Sequence, residues 1–86
     1  MNTYKLIIST PDGSVFNQNV EVLIVRGTEG ELAVMAGHRP FITAIKSGEC
    51  KIVISEKEEK FATVGGGILT VQKDKTTLLC SEFNWK

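Results

Sequence analysis

Histidine occurs once, proline and cysteine twice each, and aromatic residues make up only 7% of this 86-residue chain. No apolar run approaches the roughly 20 residues that a membrane-spanning helix requires. Each scarcity excludes something. A single imidazole, His38, and two thiols far apart in sequence, Cys50 and Cys80, do not supply the close ligand pairs of a structural zinc site, so no metal is expected. Two cysteines are too few to staple a secreted domain, and both lie in apolar, strand-like runs, which predicts buried, reduced thiols. Ten basic residues against ten acidic ones leave no net charge, so the positive field that drives nucleic-acid binding is missing. The opening MNTYKLIIST has neither the basic and apolar blocks of a secretory signal nor the Arg-rich helix of a transit peptide, which favours a bacterial cytoplasmic setting. A chain of 86 residues has room for one folded domain, spanning residues 1–86.

What is present is alternation of period two, interrupted by turn signals every 8 to 12 residues, the pattern of an all-β sandwich or barrel. Tyr4, Leu6 and Ile8 alternate with Lys5 and Ser9, and Pro11, Asp12 and Gly13 then supply a hairpin turn. Val20, Val22 and Ile24 read as one alternating run, with Leu23 and Val25 apolar on the other face, so both sides of that strand are expected to be covered. Phe41 to Ile45 reads as a strand, and Cys50, Ile52 and Ile54 form the inner face of the next. Glu56 to Lys60 reads as a solvated loop or hairpin tip. Strands over Phe61 to Val64 and Ile68 to Val71 flank Gly65, Gly66 and Gly67, and a strand from Thr76 to Cys80 follows. The expected fold is a flattened all-β sandwich or barrel of nine to ten short, mostly antiparallel strands, with residues 81–86 as a loose tail or a final short strand.

The glycine triplet does not read as a phosphate cradle, because strand-like residues follow it where a helix N-terminus would be needed. A bulge, or a crossing where two backbones come close, is the expected role. Gly27, Gly30 and Gly37 punctuate short apolar runs, predicting three tight reversals with positive φ available. Thr28, Glu29 and Glu31 make the first of these an acidic knuckle, and His38 falls at a corner before Arg39 and Pro40. Nucleophilic catalysis would need a base held against a nucleophile, and His38 has no evident partner. Glu29 and Glu31, two residues apart, would need a desolvating pocket to divide into acid and base. A binding edge is the better reading of both, so no active site is expected.

The segments GTEGELAVMAGHRPFITAIKSG and GGGILTVQKDKTTLL, with the opening TPDG, resemble the hallmark stretches of the epsilon subunit of F-type ATP synthase, throughout its N-terminal β-sandwich domain. The resemblance implies a non-catalytic rotor part of the central stalk. It would bind the gamma subunit and the polar loops of the c-ring, and so couple proton or sodium transport to ATP synthesis. Membrane contact would come only through the c-ring, at the cytoplasmic side of a bacterial cell membrane, and no cofactor is implied. Carried over by position, Glu29, Gly30, Glu31 and Leu32 would face the c-ring, and Thr10, His38, Pro40 and Thr43 would face gamma.

Met35, Ala36, Arg39 and Gly65 depart from the family pattern, so the gamma-facing corner is expected to differ in shape. The sequence ends at Lys86, before the C-terminal helical hairpin into which the family commonly continues, so inhibition through that hairpin is not inferred. The alternative is a stand-alone β-sandwich that binds a small ligand, such as a nucleotide, near Gly65 to Gly67. Lys73 and Lys75 are the only basic residues near a suitable turn there.

Overall fold

Leu6 and Ile8 are sealed from solvent while Lys5 before them is exposed and Ile7 between them only half-buried, the separation of faces that period-two alternation dictates. In this computed structural model, which describes residues 2–86, they lie on β1 (Tyr4–Thr10). The strands that follow are β2 (Gly13–Val20), β3 (Val22–Gly27), β4 (Gly30–Met35), β5 (Phe41–Ile45) and β6 (Gly48–Ser55). Then come β7 (Glu58–Val64), β8 (Gly67–Val71), β9 (Lys75–Cys80) and β10 (Phe83–Trp85), with no helix among the described residues.

The hydrogen-bonded order is β10-β7-β6-β3-β5-β8-β9-β1-β2, with β4 added to β3. Eight of these pairings are antiparallel, and β1 with β9 is parallel. The two halves of the path join at one narrow place, where Gly27 lies opposite Ile45 and Lys46 N donates to Arg26 O at 2.9 Å. They fold over a common core that includes Leu6, Ile8, Leu23, Ile52, Leu69 and Leu78. The ends of the path also meet: the Phe16 ring on β2 lies edge-on to Trp85 of β10 at 5.9 Å. The sheet therefore nearly closes on itself as a barrel-like sandwich.

Several local expectations are corrected. Val20, Val22 and Ile24 do not form one run, because Glu21 breaks it by donating its N–H to Val53 O at 2.8 Å. Val20, Leu23 and Val25 then point into the core and leave Val22 and Ile24 half-buried outside. Positive φ occurs at Gly30 (126°) and Gly37 (86°) but not at Gly27, which is buried and pairs with Gly30 instead. The charged run turns only at Glu56 and Lys57, since β7 already begins at Glu58. The tail is ordered as β10, held by Gly65 N to Glu82 O and Lys86 N to Phe61 O, both 2.9 Å.

The close approach expected at the glycine triplet is present. A Cβ on Gly67 would run into the Leu79 carbonyl oxygen and lie 2.8 Å from the Cys80 Cα. One on Gly65 would run into Ser81 Oγ. Both thiols are buried and unbridged, as expected: Cys50 is 1% and Cys80 5% exposed. Burial pushes the Cys50 thiol up to about 12, and it raises Cys80 as well.

Candidate functional site

A two-residue turn, Thr28 and Glu29, closes the β3–β4 hairpin, with Gly30 taking the positive φ that a side chain would resist. Glu29, Gly30 and Glu31 are exposed at its tip, and Leu32 is half-buried and packs against the core. Residues 27–32 and Phe41, Ile42 and Thr43 of β5 enclose an open groove of about 380 Å³. Thr43 thus lies beside the acidic tip rather than apart from it.

His38 follows the turn at Ala36 and Gly37, with its N–H donating to Met35 O at 3.2 Å. Its ring donates through Nδ1 to the Arg39 carbonyl at 2.9 Å and leans on Phe41, with centroids 4.8 Å apart. The contact with Phe41 ties this exposed corner, which includes Pro40, to the same groove as the hairpin tip. Thr10 lies elsewhere. It accepts from Asp12 N at 3.2 Å, capping the first hairpin turn, and lines a second groove of about 380 Å³ with Ser9, Pro11, Gly67, Ile68, Leu79 and Cys80.

Sequence reasoning missed one feature, the outer face of β5, β8, β9 and β1. Register places Ala44, Ile68, Leu79 and Ser9 in one row across these strands, and Ile42, Thr70, Thr77 and Ile7 in the next. None of the eight is charged, in a chain whose charged fraction is 23%. Ile42 is 72% exposed, and Ile68 and Leu79 are each 51% exposed. The available signal was that FITAI, GILTV and TTLLC carry apolar residues at both parities, more than one buried face can use.

Other concavities are charged. A groove of about 400 Å³ over β3 and β6 is lined by Arg26, Glu31, Glu49 and Lys51 beside Ile24 and Phe61. The Lys86 ammonium, 2.9 Å from Glu49 Oε2, holds that carboxyl below its ordinary range. A smaller one, of about 260 Å³, lies between Glu59, Lys60, Phe61, Trp85 and Lys86. Among the described residues no three His, Cys, Asp or Glu side chains gather as a metal site would require. Nor is any helix long and apolar enough to cross a membrane.

The sequence family described as "ATP synthase, Delta/Epsilon chain, beta-sandwich domain" matches residues 3–86. The chain is 36% identical over 83 residues to the sodium ion specific ATP synthase epsilon chain of Acetobacterium woodii, covering 96% of this chain and 62% of that one. To the ATP synthase epsilon chain of Staphylococcus aureus (strain JH9) it is 42% identical over 80 residues, covering 92% of this chain and 59% of that one. The chain therefore spans about 60% of the length of these relatives. In solved structures its fold recurs in the Euglena gracilis mitochondrial ATP synthase, with TM-score 0.90 and 19% identity, over 96% of this chain and 53% of that one. It recurs again in the central stalk and c-ring of the Tetrahymena thermophila mitochondrial ATP synthase, with TM-score 0.79 and 13% identity, over 95% of this chain and 66% of that one.

Proposed function

The chain belongs to the family of ATP synthase delta/epsilon-chain β-sandwich domains, and from that premise we propose that it is a central-stalk element that binds the gamma subunit and the c-ring. It has no active site of its own in this reading. Its work is mechanical: it holds rotor parts together so that proton or sodium flow at the cytoplasmic side of a bacterial membrane is coupled to ATP synthesis.

The observation that carries the reading is the pair of uncharged rows on the outer face of β5, β8, β9 and β1, which Lys5 and Lys75 bound on one side and which Ile42 joins to the acidic hairpin tip. Interface cores are depleted in charge and ringed by polar groups, and Thr10, Thr70 and Thr77 with Ile42, Ile68 and Leu79 fit a gamma-binding surface of that kind. His38, Pro40 and Thr43 extend it along the edge of β5. Glu29, Gly30, Glu31 and Leu32 form the ring-facing tip, where two carboxylates suit basic or amide side chains on the c-ring loops. Because Thr43 and Phe41 share a groove with that tip, the two partners would meet there.

Native mass spectrometry of the chain with the gamma subunit of the same synthase tests this. A one-to-one complex that survives Glu31→Lys and is lost in His38→Glu supports the division of surfaces. If no complex forms with the unaltered chain, the stalk reading fails.

A further inference from the structure

We propose that the groove formed by Thr10, Pro11, Gly67, Ile68, Leu79 and Cys80 is the anchor subsite of the gamma-facing surface, receiving one protruding apolar side chain of leucine, methionine or phenylalanine type from the gamma subunit. The inference rests on the gamma-binding reading above and adds where in that surface the affinity concentrates.

The groove differs from the three others in the chemistry of its walls. Those carry Glu29 and Glu31, or Arg26, Glu31, Glu49 and Lys51, or Glu59, Lys60 and Lys86, whereas none of the residues lining this one is charged. A charged partner group entering it would lose part of its water with no counter-ion to replace it. The same absence of basic groups disfavours a nucleotide phosphate beside Gly67. An apolar side chain meets no such penalty.

The groove is also built in advance. Gly67 lets the β8 backbone press against Leu79 and Cys80, a fit that no larger residue permits. The Cys80 thiol donates to Ser9 O at 3.8 Å, and Asp12 N fixes Thr10 from the other wall. A preformed groove surrounded by contacts that exclude water is where binding energy concentrates, because little must be ordered on docking. The row Ala44, Ile68, Leu79 and Ser9 continues the groove into the uncharged face and supplies such surroundings.

The test measures gamma-subunit affinity by calorimetry for the unaltered chain, Leu79→Asp, Ile68→Asp and, as a control on β7, Phe61→Asp. All three side chains are exposed, so the fold is expected to persist, and thermal unfolding checks that it does. Each groove variant is expected to weaken binding by about 30-fold or more, with the control within about threefold. If the unaltered chain binds gamma but both groove variants bind equally well, the anchor inference is overturned and the stalk reading stands. If the unaltered chain does not bind gamma, both fall together.

Discussion

At the scale of single residues, the glycine triplet shows how unequal three identical neighbours can be. Gly67→Ala would drive a methyl group into the Leu79 carbonyl, whereas on Gly66 a Cβ finds its nearest neighbour, Ile45 O, at an ordinary 3.5 Å. The first substitution is expected to cost about 3 kcal/mol of unfolding free energy and the second less than about 1 kcal/mol, read from urea titrations. Equal losses would show that backbone freedom, rather than the crossing, sets the requirement. Tyr4 offers a second test, since its hydroxyl donates to Val34 O at 2.7 Å and so ties β1 to the otherwise open strand β4. Tyr4→Phe leaves that carbonyl without this donor and should cost about 1 to 2 kcal/mol. The sequence made the need for glycine at 65–67 legible. It could not say which position is tight, because the opposing atoms come from residues 79–82, a separate strand and its exit.

Among elements, β10 is the shortest strand, and its aromatic side chains hold it as much as its ladder does. Trp85 meets Phe16 at 5.9 Å and Phe83 at 4.7 Å, both edge-on, and Lys60 Nζ lies 5.5 Å from its ring centroid. Trp85→Ala removes two aromatic pairs worth about 0.5 to 1.5 kcal/mol each. Amide exchange at Lys86, whose N–H bonds to Phe61 O, should then quicken by about tenfold or more, while Leu6 and Ile8 keep their protection. Unchanged exchange at Lys86 would mean that the backbone alone secures the strand. Elements whose inner and outer faces differ in polarity were the readable ones. β5 was bounded correctly at Phe41 and Ile45, and the Cys50, Ile52 and Ile54 face of β6 points inward as read. β2 and β3 were merged because Val20, Val22 and Ile24 keep one parity across a break made by a hydrogen bond to distant Val53, which no local pattern announces. The outer face of β5, β8 and β9 was overlooked although β3 had prompted the right question, namely what covers a strand that is apolar on both sides. The acidic tip and the histidine corner were legible from turn chemistry. Their convergence on one groove with Thr43 was not, because it depends on how β5 lies against the β3–β4 hairpin.

For the whole molecule, the buried acids fix how stability responds to alkali. Burial raises Cys50 to about 12 and pushes Cys80 and the Tyr4 hydroxyl upward as well. All three keep their protons longer in the folded chain, so above the unfolded thiol value of 9.0 the unfolded state binds fewer protons and stability falls as pH rises. Unfolding free energy should be flat with respect to these groups below about pH 8 and decline from about pH 9 towards 12. In Cys50→Ala the decline should be shallower even though its baseline is lower, and an identical slope would remove Cys50 as a cause. The pairing of β1 with β9 has a different kind of consequence, one that concerns time. Lys5 to Ser9 line up in parallel with Lys75 to Leu79, so the first strand finds its second neighbour only 70 residues further along (75 − 5). Closing so long a loop before any reward slows folding. During synthesis the β1–β2 hairpin therefore waits with its β1 edge uncovered, and the nascent protein is most prone to pair with the wrong neighbour until β9 has left the ribosome.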